Sequence, residues 1–256
     1  MSAEKPTKPP SPVPRLLLNP VRVAEVLRLT LVWIKTYFGA QAKTDVANAA
    51  IIEMPVDDRI APEESAIYPY LFASIYVLYV IWHMLDRLPV AHYRAARDAY
   101  RDMIKEAESV FLRRPTRMSN RNRLNHPLTR FMQTVDGPVN CFPSLHVALV
   151  VFSYQVIKDG PDTDQVLLGA MRQSCVDISR STLQTKQHSV IDVIGGIALS
   201  RAVYRDHFDG PFEDLLTIVF PELTEAELSQ VRVLLEKEFP MIELLDKLIE
   251  LFGSPT

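Results

Sequence analysis

The stretch "NCFPSLHVALV", from Asn140 to Val150, places a Ser-x-His pair behind a proline at the start of a long apolar run. Proline suits the first turn of a helix, where its missing N–H costs nothing. The run therefore predicts a helix from Pro143 to Ile157, with its first amides facing outward at the positive end of the helix dipole. Ser144 adds a hydroxyl and His146 an imidazole to the same turn, so this helix start predicts an anion site.

A second stretch, "TLQTKQHSVIDVIGG" from Thr182 to Gly196, carries another histidine beside a carboxylate. His188 and Asp192 are four residues apart, so on a helix they share a face. The carboxylate can hold the proton of one imidazole nitrogen and leave the other nitrogen as a base or nucleophile. Lys186 adds positive charge, and the glycines at positions 195 and 196 predict a close approach to a neighbouring helix.

Each feature alone is also typical of ordinary packing. A histidine on an apolar helix is commonly a hydrogen-bonded core residue, and Pro-Ser before a helix is commonly a cap. The combination in this order, a Ser-x-His at a helix start and then His-x-x-x-Asp about forty residues later, indicates a functional site.

The two motifs resemble those of the type 2 phosphatidic acid phosphatase (PAP2) superfamily, which includes lipid phosphatases, bacterial acid phosphatases and vanadium haloperoxidases. The resemblance is nearest to the branch with inositol phosphorylceramide synthase-like proteins, in which the second motif can read Pro-Ser-Leu-His, as residues 143–146 do here. The third motif of the family is Ser-Arg, five residues, His, three residues, Asp, and it matches at His188 and Asp192. The resemblance covers about residues 113–204.

The chain departs from the family pattern at two places. Thr182, after Ser181, stands where the phosphate-binding arginine of the family belongs, and Arg180 is two residues out of register. Lys186 is a candidate substitute for that arginine. The first motif, Lys, six residues, Arg-Pro, is present at Arg114–Pro115, but its lysine position is taken by Ala107, with Lys105 the nearest lysine and Arg101 one helical turn earlier.

The resemblance implies a metal-independent phosphatase or phosphotransferase that needs no cofactor. Its substrate would be a lipid, isoprenoid or other phosphate monoester or diphosphate. His188, oriented by Asp192, would form a phosphohistidine, and His146 would act as acid and then base. The residues expected to bind the phosphoryl group are Ser144, Leu145, Lys186, Arg114, Ser181 and Thr182. Two alternatives remain open: a catalytically degenerate PAP2-like scaffold or interaction protein, and a vanadate-dependent haloperoxidase.

Composition and periodicity predict a helical protein. Of 256 residues, 48% are hydrophobic and only eight are glycine, and strand-like alternation is hard to find. Together with the resemblance, this predicts an all-α bundle of the PAP2/haloperoxidase type with extra terminal helices. We expect a disordered Pro-rich tail at 1–19, a PAP2-like domain at 20–210 with its motif core at 113–204, and a C-terminal helical extension at 211–256.

Further helices are predicted from apolar spacing at 20–38, 66–85, 91–111, 165–177 and 188–203, with two more split at Pro240. Thr224 and Glu227 form a candidate capping box for the first of this last pair. Three apolar stripes are expected to face the core: Val23, Val26, Leu27, Leu31 and Ile34; Tyr93, Ala96, Tyr100 and Ile104; and Leu228, Val231, Leu234 and Leu235. The last stripe fits packing on the domain or, as the alternative, a homo-oligomer seam.

Net charge and hydropathy limit the classes of partner, nucleic acid or membrane, that the chain could bind. A net charge of −3 and a pI near 6.1 argue against a general nucleic-acid binder. The segment from Ala66 to Leu85 is uncharged and long enough for a bilayer span. However, Pro69 and His83 interrupt it, and the mean hydropathy of the chain is only +0.03. This favours one buried or one membrane-associated helix over a polytopic protein.

The N-terminal residues, the two cysteines and a cluster of arginines bear on the cellular location of the protein and on the approach of its substrate. The first residues lack an apolar signal region, so we expect a membrane-associated or cytoplasmic protein without a secretion signal. Cys141 and Cys175 are expected to be buried thiols, with a disulfide between them left open. Six arginines between Arg113 and Arg130 fit a positive funnel for a phosphorylated substrate, or a basic loop that contacts solvent or anionic lipid.

Overall fold

The computed structural model describes residues 20–119, 124–160 and 164–253. It is 74% helical with 2% strand, which confirms the all-α class. The α-helices of the described residues are α1 Pro20–Lys43, α2 Ile67–Arg87, α3 Val90–Arg113, α4 Pro127–Val135, α5 Leu145–Lys158, α6 Gln165–Gln184, α7 Val190–His207, α8 Leu216–Val219, α9 Glu225–Glu236 and α10 Met241–Phe252. Two short strands, β1 Ala50–Ile51 and β2 Thr116–Arg117, pair in parallel. The tail predicted at 1–19 lies outside the described residues.

Helix α5 lies at the centre of the fold. It contacts α2, α3, α6 and α7, and every side chain from Val147 to Ile157 is buried. A helix that is apolar on all sides has no face for water and must be covered on all sides. Its two buried polar residues are both satisfied: Ser153 bonds the hydroxyl of Tyr100 at 2.6 Å, and Gln155 bonds the backbone of Glu213.

Helices α5 and α7 approach each other more closely than side chains would normally allow. A Cβ atom on Gly195 would lie 2.3 Å from Cε2 of Phe142, and a Cβ on Gly196 would lie 2.6 Å from the carbonyl oxygen of Ser144. Both contacts are far below van der Waals distance. The expected role of these glycines in close helix packing is therefore confirmed.

The predicted helices are present, and several are longer than the sequence pattern indicated. Helix α6 continues seven residues beyond 177, and α1 continues to Lys43. On α3 the predicted stripe is buried at Ala96, Tyr100 and Ile104, with Tyr93 half-buried. On α1 the predicted stripe is only partly right: Val26 packs against the core and Val23 is half-buried, but Leu27, Leu31 and Ile34 are 57%, 64% and 39% exposed. The fully buried face carries Leu29, Tyr37 and Ala40.

Helix α2 is apolar on both its buried and its exposed face. Tyr70, Ala73, Tyr76, Val80 and Met84 are buried, whereas Tyr68, Leu71, Phe72, Ile75, Leu78 and Tyr79 are between 38% and 60% exposed. With the 3₁₀ turn before it, the segment Glu64–Arg87 is the one helix in the described part of the chain that is long and apolar enough to cross a bilayer. One face of α2 is therefore buried, as predicted for a core helix, and the other is apolar and exposed, as predicted for a membrane-associated helix.

The C-terminal helices share the core of the rest of the chain. The predicted capping box at Thr224 and Glu227 is confirmed. Leu228, Val231 and Leu235 are buried against the domain, and α10 contacts α7. Because the predicted stripe is covered by the protein's own core, packing on the domain explains it without a second copy of the chain.

Candidate active site

The site begins at the start of α5. The helix starts at Leu145, not at Pro143 as the sequence suggested, because Ser144 is the N-cap and its Oγ accepts a hydrogen bond from the amide of Val147 at 3.4 Å. Pro143 lies before the cap and is joined to Phe142 by a cis peptide bond. The amides of Leu145 and His146 have no acceptor within their own helix, since the first four helical amides lack intrahelical partners. They are the donors left for an anion.

The second motif lies at the start of α7, where the local geometry differs from the prediction. His188 is not on the helix: Ser189 is the N-cap, and α7 begins at Val190. Ser189 and Asp192 form a capping box, in which the amide of Ser189 donates to Oδ2 of Asp192 at 2.8 Å. A capping-box turn therefore brings His188 to Asp192, with Nδ1 of the imidazole 3.5 Å from the same Oδ2.

The start of α7 is already satisfied by protein groups, unlike the start of α5. The amide of Val190 donates to Oδ1 of Asp57, and the amide of Asp192 donates to Oγ of Ser189. An anion at this helix start would have to displace a carboxylate. Among the described residues, the amides available to an anion at this site are therefore those of α5, and His188, just before α7, supplies the second imidazole.

The two histidines face each other across the site. The ring centroids of His146 and His188 are 6.2 Å apart, with an interplanar angle of 60°. His188 is 5% exposed in its side chain and Asp192 is fully buried. The structure thus brings His146, His188, Asp192 and Ser144 together from two separate motifs.

A second carboxylate, which the sequence did not reveal as a site residue, lies behind His146. Asp136 accepts hydrogen bonds from the hydroxyls of Tyr37 at 2.6 Å and Tyr70 at 3.3 Å. The ring of His146 lies 5.0 Å from that of Tyr70 and 6.4 Å from that of Tyr37. These residues come from α1, α2 and the end of α4, so nothing local in the sequence connects them.

The surroundings of His146 keep it neutral in the ligand-free protein. Burial lowers the pKa of His146 to about 4, because the imidazolium loses its hydration. The carboxylate of Asp136 acts in the opposite direction, and His188 adds to the lowering. Burial also raises the pKa of Tyr37 well above its ordinary value, so the tyrosine remains a hydrogen-bond donor to Asp136.

Cys141 lies beside the His188–Asp192 pair. A ligand atom from each of Cys141, His188 and Asp192 lies within 4.8 Å of the other two. Cys141 and Cys175 are both buried thiols and form no disulfide with each other, as expected. The predicted site did not include Cys141, because its neighbours here come from a segment about fifty residues away.

The polar residues expected to replace the family's arginine are engaged elsewhere. The hydroxyls of Ser181 and Thr182 are buried and donate to carbonyl oxygens of their own helix, at 2.6 and 2.8 Å. Nζ of Lys186 donates to the carbonyl oxygens of Asp57 and Ile60, at 2.9 and 2.7 Å. These bonds tie the His188 loop to the 3₁₀ turn Pro55–Arg59, and Lys186 itself has a positive φ of 55°.

The residues of the first motif, around Arg114, are also paired with other groups outside the site. Arg114 is exposed and forms an ion pair with Asp246 of α10 at 3.1 Å. Lys105 is 74% exposed and pairs with Asp102, whereas Ala107 is buried in the core. The out-of-register Arg180 pairs with Glu222 at 2.7 Å.

The other arginines of the expected positive funnel do not support it. Arg113 donates to the carbonyl of Ser109, and Arg130 to Asn125. The Nε atom of Arg117 is buried without a hydrogen-bond partner among the described residues. Thr116, the preceding residue of β2, accepts a hydrogen bond from the amide of Phe142. The arginines at positions 121 and 123 lie outside the described residues.

Comparison of the chain with protein-family models, with curated proteins and with solved structures finds no match. Any function must therefore be argued from the geometry of the site. That geometry consists of two neighbouring imidazoles, a buried carboxylate beside one of them, and next to the other the first amides of α5, which lack intrahelical acceptors.

Proposed function

We propose that the protein is a phosphatase or phosphotransferase of the PAP2 type, acting on a phosphate ester that carries an apolar chain. The observation that supports this best is the 6.2 Å separation of the His146 and His188 rings, with Asp192 behind His188. A nucleophile needs to lie about 3–3.5 Å from phosphorus, and a general acid about 2.6–3.2 Å from the leaving oxygen. At this separation both rings can contact one phosphoryl group.

The proposed reaction has two displacements at phosphorus. Nε2 of His188 attacks phosphorus, the bond to the ester oxygen breaks, and His146 gives its proton to the departing alkoxide. A water or another hydroxyl then gives a proton to His146 and attacks phosphorus, and the P–N bond breaks to restore neutral His188. Oδ2 of Asp192 lies 3.5 Å from Nδ1 of His188, and a small approach would let it accept the Nδ1 proton and stabilise the positive ring of the intermediate.

Substrate binding would favour the protonated form of His146. In the ligand-free protein its pKa of about 4 leaves it neutral at pH 7. A phosphate dianion bound at the amides of Leu145 and His146 adds negative charge within a few ångströms, which raises the pKa of His146. The group therefore becomes an acid only when there is a substrate to protonate.

The site holds less positive charge than the family pattern implies. Thr182 replaces an arginine, and the ammonium of Lys186 is bonded to two backbone carbonyls. The difference between a charge-assisted and an ordinary hydrogen bond is about 1 kcal/mol or more per contact. We therefore expect slow turnover of simple phosphate esters and better turnover of substrates that gain binding energy outside the phosphoryl group.

A narrow apolar cleft beside His146 could bind the part of the substrate outside the phosphoryl group. His146 is one of its lining residues, and the walls come from α1, α2, α3 and α5. The other lining residues are Leu29, Thr30, Trp33, Ala73, Ser74, Val77, Leu78, Ile81, Tyr100, Ile104, Leu149 and Val150. An acyl or prenyl chain in this cleft would gain about 0.8 kcal/mol for each buried CH₂.

The exposed faces of α1 and α2 fit delivery of such a substrate from a membrane. Leu27 and Leu31 on α1, and Leu71, Ile75 and Leu78 on α2, are at least 39% exposed. Leu78 also lines the cleft, so the exposed apolar surface reaches its wall. Contact of these two helices with a bilayer would cover the apolar surface and bring the cleft to the lipid.

Phosphate release by the purified protein tests the proposal. Wild-type protein is compared with His188→Ala and His146→Ala on a chromogenic ester and on lipid phosphates in mixed micelles. His207→Ala is the matched control, because His207 forms a surface pair with Asp102 at 3.1 Å. The proposal requires release by the wild type and the control and none by the two site variants. Equal background release by all four proteins would refute it and favour the non-catalytic scaffold.

A further inference from the structure

Three side chains, one of them the proposed nucleophile His188, form a set of metal-ligand types. Cys141, His188 and Asp192 each present a ligand atom within 4.8 Å of the others, and all three are buried. Cys141 comes from the segment before α5, whereas His188 and Asp192 come from the start of α7. The local spacing of the sequence therefore gives no sign of the set, since the cysteines form no CxxC pattern.

A second observation points to a bound group at the same place. Nδ1 of His188 and Oδ1 of Asp192 are buried and have no hydrogen-bond partner among the described residues. Oδ2 of Asp192 lies 3.5 Å from Nδ1, beyond the usual range of about 2.7–3.2 Å, and already accepts from the amide of Ser189. Unsatisfied buried polar atoms cost about 1–3 kcal/mol each, so two on neighbouring side chains point to a bound ligand.

We infer that a thiophilic divalent cation, with Zn²⁺ the best match, binds to Cys141 Sγ, His188 Nδ1 and the carboxylate of Asp192. Thiolate and imidazole together favour Zn²⁺ over Mg²⁺ or Ca²⁺, which prefer oxygen ligands. Bond lengths of about 2.0–2.3 Å to a tetrahedral Zn²⁺ place its ligand atoms roughly 3.3–3.8 Å apart. The observed separations need to shorten by about 1 Å or less to reach that range.

Charge balance favours a divalent ion at this buried position. A thiolate, a carboxylate and a neutral imidazole carry two negative charges, which the cation neutralises. Binding releases the proton of the Cys141 thiol to solvent, so affinity rises with pH. Three protein ligands leave a fourth position for water, as in zinc sites with an open coordination position.

The bound ion would prevent His188 from attacking phosphorus, a consequence that rests on the proposed function. Coordination uses the lone pair of Nδ1 on His188, so a neutral ring carries its proton on Nε2. That nitrogen then has no lone pair with which to attack phosphorus. Zn²⁺ would therefore act as a reversible inhibitor, and removal of the ion would restore the nucleophile.

Direct binding measurements test the metal site without any assay of activity. The full chain is freed of metal and titrated with Zn²⁺ against a chromogenic chelator, and with Co²⁺ while the thiolate-to-cobalt charge-transfer band is recorded. Wild-type protein should bind one ion and show the band. Cys141→Ala should bind Zn²⁺ at least about 100-fold more weakly and lose the band, since loss of even an outer-shell partner costs about 10–100-fold.

Cys175→Ala is the matched control, because it removes the other buried thiol and leaves the three ligands intact. It should bind like the wild type. Cys141→Ser preserves the size of the side chain and replaces Cys141→Ala if the alanine variant fails to fold. Wild-type protein that binds no stoichiometric Zn²⁺, or a cobalt band that disappears in Cys175→Ala and persists in the Cys141 variants, would overturn the inference.

Discussion

The backbone amide of Ser144 donates a hydrogen bond to the backbone carbonyl oxygen of Asp192 at 2.9 Å. This bond joins the cap of α5 directly to the first turn of α7. Gly196, one turn further along α7, allows the contact because a Cβ there would meet the same serine. The distance between the two histidine motifs is therefore determined by backbone contact, and side-chain packing only supports it.

Substitution of Gly195 should disturb this contact. In Gly195→Ala the new Cβ would lie 2.3 Å from the ring of Phe142, so α7 or the ring must move. We expect a loss of about 1–3 kcal/mol in the free energy of unfolding, measured by denaturant titration, with reduced phosphate release. Gly169→Ala on α6 is the control: no atom lies within 4 Å of its Cβ, and it should gain about 0.5–1 kcal/mol. Equal effects of the two substitutions would contradict the close α5–α7 approach.

Neutralising the carboxylate beside His188 should reduce catalysis more than stability. Asp192→Asn keeps an oxygen that can accept from the amide of Ser189, but it loses the charge that supports the positive ring. We expect kcat to fall by about 10²–10⁴-fold, with a folded protein by circular dichroism. Asp102→Asn, in the surface pair with His207, should leave kcat unchanged. A kcat within threefold of wild type for Asp192→Asn would exclude it as the orienting group.

The depressed pKa of His146 predicts how stability depends on pH. The unfolded chain binds a proton at this residue near pH 6.5 and the folded protein only near pH 4, so the unfolded state holds more protons between these values. Stability should therefore fall as the pH falls from about 6.5 to 4, by about 3 kcal/mol. His146→Gln should remove this part of the slope. If the free energy of unfolding of His146→Gln, measured by denaturant titration at each pH, falls as steeply as that of the wild type, His146 does not cause the pH dependence.

The apolar cleft predicts a preference for long chains that a bulky residue can remove. Ala73 is buried and lines the cleft, so Ala73→Phe should fill it. We expect a rise in KM for a long-chain phosphate ester and little change for a short chromogenic ester. Ile75→Phe, at a residue of the same helix that is 60% exposed, is the matched control. If Ala73→Phe alters both substrates to the same extent, the cleft does not hold the substrate chain.

Local signals in the sequence predicted much of the fold. Apolar spacing located α2, α3, α5 and the C-terminal pair, and Thr224 with Glu227 predicted the cap of α9. The stripe on α1 failed at Leu27, Leu31 and Ile34, which are apolar yet exposed, because periodicity cannot distinguish an apolar surface face from a core face.

The site was predictable only where its residues belong to a motif. His146, His188, Asp192 and Ser144 could be selected by spacing, although the i, i+4 rule misplaced His188 because the capping box of Ser189 competes for the same residues. Asp136 with its tyrosines, and Cys141 beside Asp192, are brought together by contacts between distant segments. No pattern of neighbours in the sequence carries that information.

Covalent trapping is the most direct test of the central claim that His188 is the nucleophile. Wild-type protein is quenched in alkali during turnover of a labelled phosphate ester, and the acid-labile, alkali-stable label is mapped by mass spectrometry. We expect one phosphohistidine, at His188, that disappears in His188→Ala and accumulates in His146→Ala when a leaving group that needs no protonation is used. Label at another residue, or turnover without label on His188, would contradict it.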